Sequence, residues 1–307
     1  MEIENFWSIA HSPKLLRVKK VSKNGVQEWI KSANFTPNAD ANQIDLAAFD
    51  LDDLLCSWAS DTSRLLVAAR DTLSAIDGIR GKPKSTAWIL IKSYYAAFYY
   101  AHVMLRLTRC SLTYTPTSQL MRIRGLLDAY GIPEPFPLKT NQYILKYNEI
   151  PPRLQVKQKS GGDGTHENTW RQFEAMVFEC EAAHEIKCIN SAEKGELKSI
   201  ADKLRRSIYA AENSGKLLSS IRNEVQYTQL HGVWPPYGST LKSDYCLRRL
   251  REVHSKTTNI GDFDLDSGDK ATCFLNCCLL ICWSAEKFVM FSTKDKPKSF
   301  LRSKALA

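Results

Sequence analysis

The sequence predicts an all-α protein built on a helical bundle, on three observations. Four long segments repeat apolar residues at helical spacing. Runs rich in Val, Ile and Thr that alternate with polar residues are scarce. The proline- and glycine-rich breaks fall between the periodic segments, where helices have to stop.

Residues 1–44 read as an N-terminal arm. Val18 to Val21 and Val26 to Ile30 flank Asn24-Gly25, a two-residue turn signal, so the expectation there is a short hairpin or else a poorly ordered arm. A first helix is expected over 45–76, with Leu51, Leu54, Leu55, Trp58, Leu65, Leu66 and Ala69 on its apolar face. Gly81-Lys82-Pro83 then breaks the chain. The second helix, 85–109, starts at the capping candidates Ser85 and Thr86 and is apolar nearly all round, which places it in the middle of the bundle. Its His102 shares a stripe with Tyr95, Phe98 and Leu105, and a hydrogen-bonded core histidine is the commoner occupant of such a place.

Residues 110–191 read as an irregular insertion, because the prolines between 133 and 137 and Pro151-Pro152 forbid long helices. Residues 159–167 look like a mobile loop that leads into a helix from Asn168. A third bundle helix is expected over 192–227, ended by the aromatic-proline turn His231-Gly232-Val233-Trp234-Pro235-Pro236. A last helix covers 270–291 and completes one helical domain over 45–293; residues 294–307 form a basic, solvated tail.

A formal charge of +9 suggests an anionic partner, nucleic acid being the obvious class. No continuous apolar run approaches the roughly 18–20 residues that cross a bilayer, and Glu2 and Glu4 stand where a signal peptide would be basic. The nine cysteines are odd in number and scattered, which fits reduced thiols in a cytoplasmic protein with no membrane association. Cys273, Cys277, Cys278 and Cys282 lack metal-ligand spacing and sit among Phe and Leu residues, so they read as core and no metal or cofactor is expected.

One position breaks the helical pattern. Leu204, Ile208, Ala211, Gly215 and Leu218 recur at steps of four and three, and the next step lands on Arg222 before returning to Val225. At about 100° per residue Arg222 falls on the apolar stripe, with Gln226 beside it one turn later. An inward guanidinium keeps its charge, so it needs a buried acid, a wet groove or an anionic ligand.

With Trp88, Tyr94-Tyr95-Ala96-Ala97-Phe98 and Ala101 on one helix and Arg222-Asn223-x-x-x-Tyr227 on another, the chain resembles the HEPN (higher eukaryote and prokaryote nucleotide-binding) superfamily. The resemblance covers roughly 85–109, 195–230 and 268–291, with 45–76 as a further core helix. It implies four to five core helices and membership of a bacterial antiphage or toxin–antitoxin system. Ribonucleases of the family carry Arg-x(4–6)-His and cleave RNA without metal, at a site shared by two protomers. Here Tyr227 stands five residues after Arg222, and the nearest histidine downstream is His231. A phenol with an ordinary pKa of about 10 is a poor base at neutral pH.

Two functions follow from this resemblance. In the first, an endoribonuclease uses Arg222, Asn223, Tyr227 and His231 for catalysis, with Gln226, His102 and Tyr95 as ligand-binding residues. In the second, a non-catalytic subunit of a defence complex binds RNA or a nucleotide in the same groove. Either would act as a homodimer or with a partner protein.

Overall fold

The computed structural model describes residues 2–77, 85–159, 164–187, 191–208, 216–255 and 257–302. Ten α-helices occur among them: α1 Ile3–Ser8, α2 Val26–Ser32, α3 Leu51–Asp77, α4 Thr86–Leu107, α5 Thr117–Ala129, α6 Thr165–Lys187, α7 Ser191–Arg206, α8 Leu217–Tyr227, α9 Ser243–Glu252 and α10 Lys270–Thr293. Five strands accompany them: β1 Phe35–Asp40, β2 Gln43–Ala48, β3 Cys110–Thr115, β4 Asn141–Glu149 and β5 Pro152–Gln158. The fold is therefore mixed α and β, and the all-α expectation is overturned by an antiparallel sheet of order β1-β2-β5-β4-β3.

The chain forms two compact units. One comprises Met1–Ala10, Leu65–Met104 and His166–Phe291; the other comprises His11–Arg64, Leu105–Thr165 and Ser292–Ala307.

The second unit holds all five strands. Tyr143, Leu145 and Tyr147 of β4 are buried and alternate with partly exposed neighbours, and Leu154 and Val156 of β5 do the same, which is the period-two pattern of a strand with one covered face. Pro152 opens β5 opposite Glu149, so Pro151-Pro152 is part of a hairpin turn and not merely a helix breaker. Pro37 lies in β1, an edge strand, where a missing N–H is tolerated. The hairpin expected around Asn24-Gly25 is absent. Instead Asp61 of α3 accepts the Val26 amide at 3.0 Å and caps α2, and a Cβ at Gly25 would sit 2.0 Å from the same carboxylate. The arm is also more than an arm: Leu15, Leu16, Trp29, Ile30 and Phe35 are buried. In the C-terminal segment Phe300 and Leu301 are buried and the Phe300 amide bonds Val18 O at 3.0 Å, so these residues pack while Lys298 stays exposed.

The first unit contains helices and no strand among its described residues. α4 and α10 supply about half of its core, including Tyr94, Tyr100, Phe274, Leu279 and Leu280. α10 passes by length and mean hydropathy as a membrane span, unlike the sequence expectation, and 83% of its apolar window is buried inside the protein. Cys277, Cys278 and Cys282 lie in that buried face. The single helix expected over 192–227 is two, α7 and α8; Ala211 and Gly215, which carried the rhythm between them, lie outside the described residues.

Glu286 of α10 is the fixed charge of this core. It accepts from Arg70 Nε and Nη2 at 2.7 Å each and from the Tyr100 hydroxyl. Burial works against its anion, but the bonds and charge of Arg70 and the bond from Tyr100 leave its carboxyl below the usual range. Arg70→Ala should strand that carboxylate and cost about 3–5 kcal/mol. Denaturant unfolding of Arg70→Ala beside the double variant Arg70→Met/Glu286→Leu checks this, the double variant being the more stable of the two.

Candidate functional site

Three helices of the first unit meet around Tyr94. α4 supplies Tyr94, Tyr95 and Phe98; α6 supplies His166 and Trp170; α8 supplies Ser219 and Arg222. Local sequence explains each presentation. On α8, Leu218, Ile221 and Val225 are the buried stripe, and Arg222 follows Ile221 into it with 7% of its surface exposed. On α6, Trp170, Phe173, Val177, Cys180 and His184 form a buried stripe at steps of three and four, and one step back from Trp170 is His166.

The guanidinium of Arg222 lies 5.3 Å from the Tyr94 ring centroid and 5.8 Å from that of Tyr95, in cation–π range of both. Its Nη1 donates to Gln226 Oε1 over a long 3.4 Å. Its Nε is buried without a hydrogen-bond partner among the described residues, where Arg222 forms no ion pair with a carboxylate. Other inward arginines of the same unit differ: Arg70 is held by Glu286, Arg205 by Glu181 and Asp202, and Arg249 by Glu252.

His166 feels the charge of Arg222 and shares Tyr94 with it. Its Nδ1 is 2.9 Å from the Tyr94 hydroxyl, which also lies 3.3 Å from Ser219 Oγ and accepts from Trp170 Nε1 at 3.2 Å. An indole N–H only donates, so the phenol's own proton has two destinations. If it goes to Ser219, His166 donates through Nδ1 and leaves Nε2 as a bare acceptor. If it goes to His166, Nε2 carries the hydrogen and is a donor for an anion. Burial, and secondly the charge of Arg222, pushes the imidazole down to about 4, so it is neutral at pH 7. The Tyr94 phenol is raised, because burial outweighs the bonds from Ser219 and Trp170 and the charge of Arg222.

The structure brings Arg222, Gln226 and Tyr95 together and adds Tyr94, so far only part of a motif, and His166. His166 lies in the 159–167 segment, where the sequence predicts a loop; the stripe on α6, followed one step back, points to it. His102 is buried, 3.3 Å from Thr169 Oγ1, and shares the ring of Phe98 with His166 at 4.7 Å against 4.4 Å. The remaining sequence candidates do not join this cluster. Asn223 and Tyr227 are exposed, Tyr227 at 68%. His231 bonds Glu224 at 2.7 Å instead, at a positive φ of 70° beyond the end of α8. Although partial burial opposes it, the bonds from His231 and Ser220 hold the Glu224 carboxyl below its ordinary range.

An unfolded chain gives its histidine a pKa of about 6.5. His166 therefore binds more protons unfolded than folded between pH 6.5 and 4, and its contribution to stability is complete above that window and is lost as pH falls through it. His166→Gln should flatten that part of a stability–pH curve. Arg222→Leu should move the imidazole titration upward in an NMR experiment, since the cation is one of the two groups of causes holding it down.

Comparison with protein-family models, with curated proteins and with solved structures finds no match.

Proposed function

We propose that this chain binds the phosphate of RNA or of a nucleotide at Arg222, as a HEPN-like subunit of a bacterial defence or toxin–antitoxin system. The observation that carries this reading is a guanidinium more than nine-tenths buried, without a carboxylate partner among the described residues, beside a neutral histidine. A buried charge with no internal counter-ion is costly, and an anionic ligand supplies the missing one. Nε2 of His166, in the tautomer whose Nδ1 accepts from Tyr94, adds a neutral donor to the same anion. The segments that carry the HEPN likeness fall on α3, α4, α7, α8 and α10, except that residues 45–48 of the stretch expected as a first helix lie in β2. Assembly as a homodimer or with a partner protein belongs to the same proposal.

Cleavage of the bound RNA is the second reading, and the proximity of His166 to Arg222 favours it. His166 in its other tautomer would take the proton of a ribose 2′-hydroxyl, whose oxygen attacks phosphorus as the P–O5′ bond breaks. The products are a 2′,3′-cyclic phosphate and a 5′-hydroxyl that takes its proton from water, while Arg222 balances the charge developing on the phosphate. In this scheme His166 has the role that the sequence assigned to Tyr227 or His231. A base that titrates near 4 is weak at neutral pH, which is why binding and not cleavage is the conclusion.

Arg222→Ala should lower affinity for a labelled single-stranded RNA by roughly ten- to a hundredfold, the range of a lost charged hydrogen bond. Its melting temperature should hold, since no carboxylate is stranded; Lys298→Ala should change neither. Unchanged binding refutes the site, and a collapsed melting temperature makes Arg222 structural. In the same assay with chelator present, appearance of a cyclic phosphate that His166→Gln abolishes would establish cleavage.

A further inference from the structure

From Arg222 a strip of accessible aromatic surface continues along α4. Trp88, Lys92 and Tyr95 are spaced by four and three residues and so share one face of that helix, and Tyr95 is one of the two residues whose rings lie under the guanidinium. Trp88 is 51% exposed, an unusual state for the largest apolar side chain. Its indole meets that of Trp234 edge to face at 5.7 Å. Trp234 is in turn fixed to α8 by a 2.6 Å bond from its Nε1 to Val225 O, and Val233 O holds the Ala87 amide at 3.3 Å. The indole pair is thus anchored to α4 and α8, two of the three helices that bear the Arg222 cluster. Seven residues of helix put Trp88 about 10 Å along the axis from Tyr95. Two or three nucleotides span that distance, at roughly 3.4 Å or more per phosphate.

We infer that Trp88, backed by Trp234, is a base-stacking platform that makes the Arg222 site select single-stranded RNA. This rests on the phosphate-binding reading above and adds to it the form of the nucleic acid and a second subsite. Every base offers a face to stack on, so the platform tolerates sequence, whereas bases locked in a duplex cannot reach it. Charge complementarity commits the strip to this occupant: Lys92 lies between the indoles and the guanidinium, so a cation accompanies the strand along the strip. A purely apolar partner would leave both cations without a counter-charge.

The chain carries its own reporter. Of seven tryptophans, Trp7, Trp29, Trp58, Trp170 and Trp283 are buried, so Trp88 and Trp234 are the ones a ligand can touch. A short single-stranded RNA of mixed sequence should quench the emission of the full chain, and the same strand annealed into a duplex should bind at least tenfold more weakly. Trp88→Ala should weaken single-strand binding by roughly tenfold or more, the range of one lost stacking contact, and Trp88→Phe should restore most of it. An abasic ribose-phosphate oligomer should bind wild type and Trp88→Ala alike, and Arg222→Ala should weaken it. Trp88→Leu keeps apolar bulk against Trp234 without a π face, so full affinity in that variant overturns the platform. Equal affinity of Trp88→Ala and wild type for single strands overturns it too, as does duplex binding as tight as single-strand binding. If Trp88→Ala instead loses self-association in sedimentation and keeps RNA affinity, the strip belongs to a second copy of the chain. If Arg222→Ala leaves every probe unaffected while Trp88→Ala weakens single strands, phosphate capture falls and the platform stands.

Discussion

The ring of Tyr94 organises the first unit. Its hydroxyl gathers His166, Ser219 and Trp170 from α6 and α8, one ring contact is the guanidinium of Arg222, and the ring stacks on Phe274 of α10 at 6.2 Å. Every other helix of the cluster is positioned by touching this one side chain. A phenol suits the task because it combines a large apolar area with one polar atom that both donates and accepts. Phenylalanine in its place would keep the stacking and orphan an indole N–H.

Charge is arranged around that ring by omission. Arg70, Arg205 and Arg249 are each answered by carboxylates, so their fields close within the protein. Around Arg222 the polar company is an amide, two phenols and a neutral imidazole, none of which cancels a positive charge. The local potential is therefore positive. Lowering the proton affinity of His166 is the other face of the same arrangement.

How much of this the amino-acid order discloses depends on the length scale of each signal. α3, α4 and α10 repeat their apolar residues over more than twenty positions, and their expected and observed bounds differ by a few residues apart from the late start of α3. Arg222 is visible as a violation of that periodicity. The strands are six to nine residues long, and the β2–β5 pairing joins Ile44 to Val156, so neither length nor proximity along the chain advertises the sheet. Alternation in Tyr143-Leu145-Tyr147 was present but was masked by the prolines around it. His166 escaped for a different reason: its helix was expected from Asn168, although α6 begins at Thr165. Tyr227 and His231 are close to Arg222 in sequence, whereas its histidine neighbour in space comes from another helix.

The apolarity of α10 has a consequence for how the chain is made. Before it packs, Lys270–Thr293 presents the targeting machinery with a segment that has the length and hydropathy of a membrane anchor. α4, which touches it through Tyr94 on Phe274 and Tyr100 on Glu286, precedes it in the chain. At roughly 5–20 residues per second of synthesis, α4 has been outside the ribosome for many seconds when α10 emerges. Chain order thus shortens the interval in which α10 is naked, and gives its apolar surface a waiting helix in place of a lipid or a chaperone.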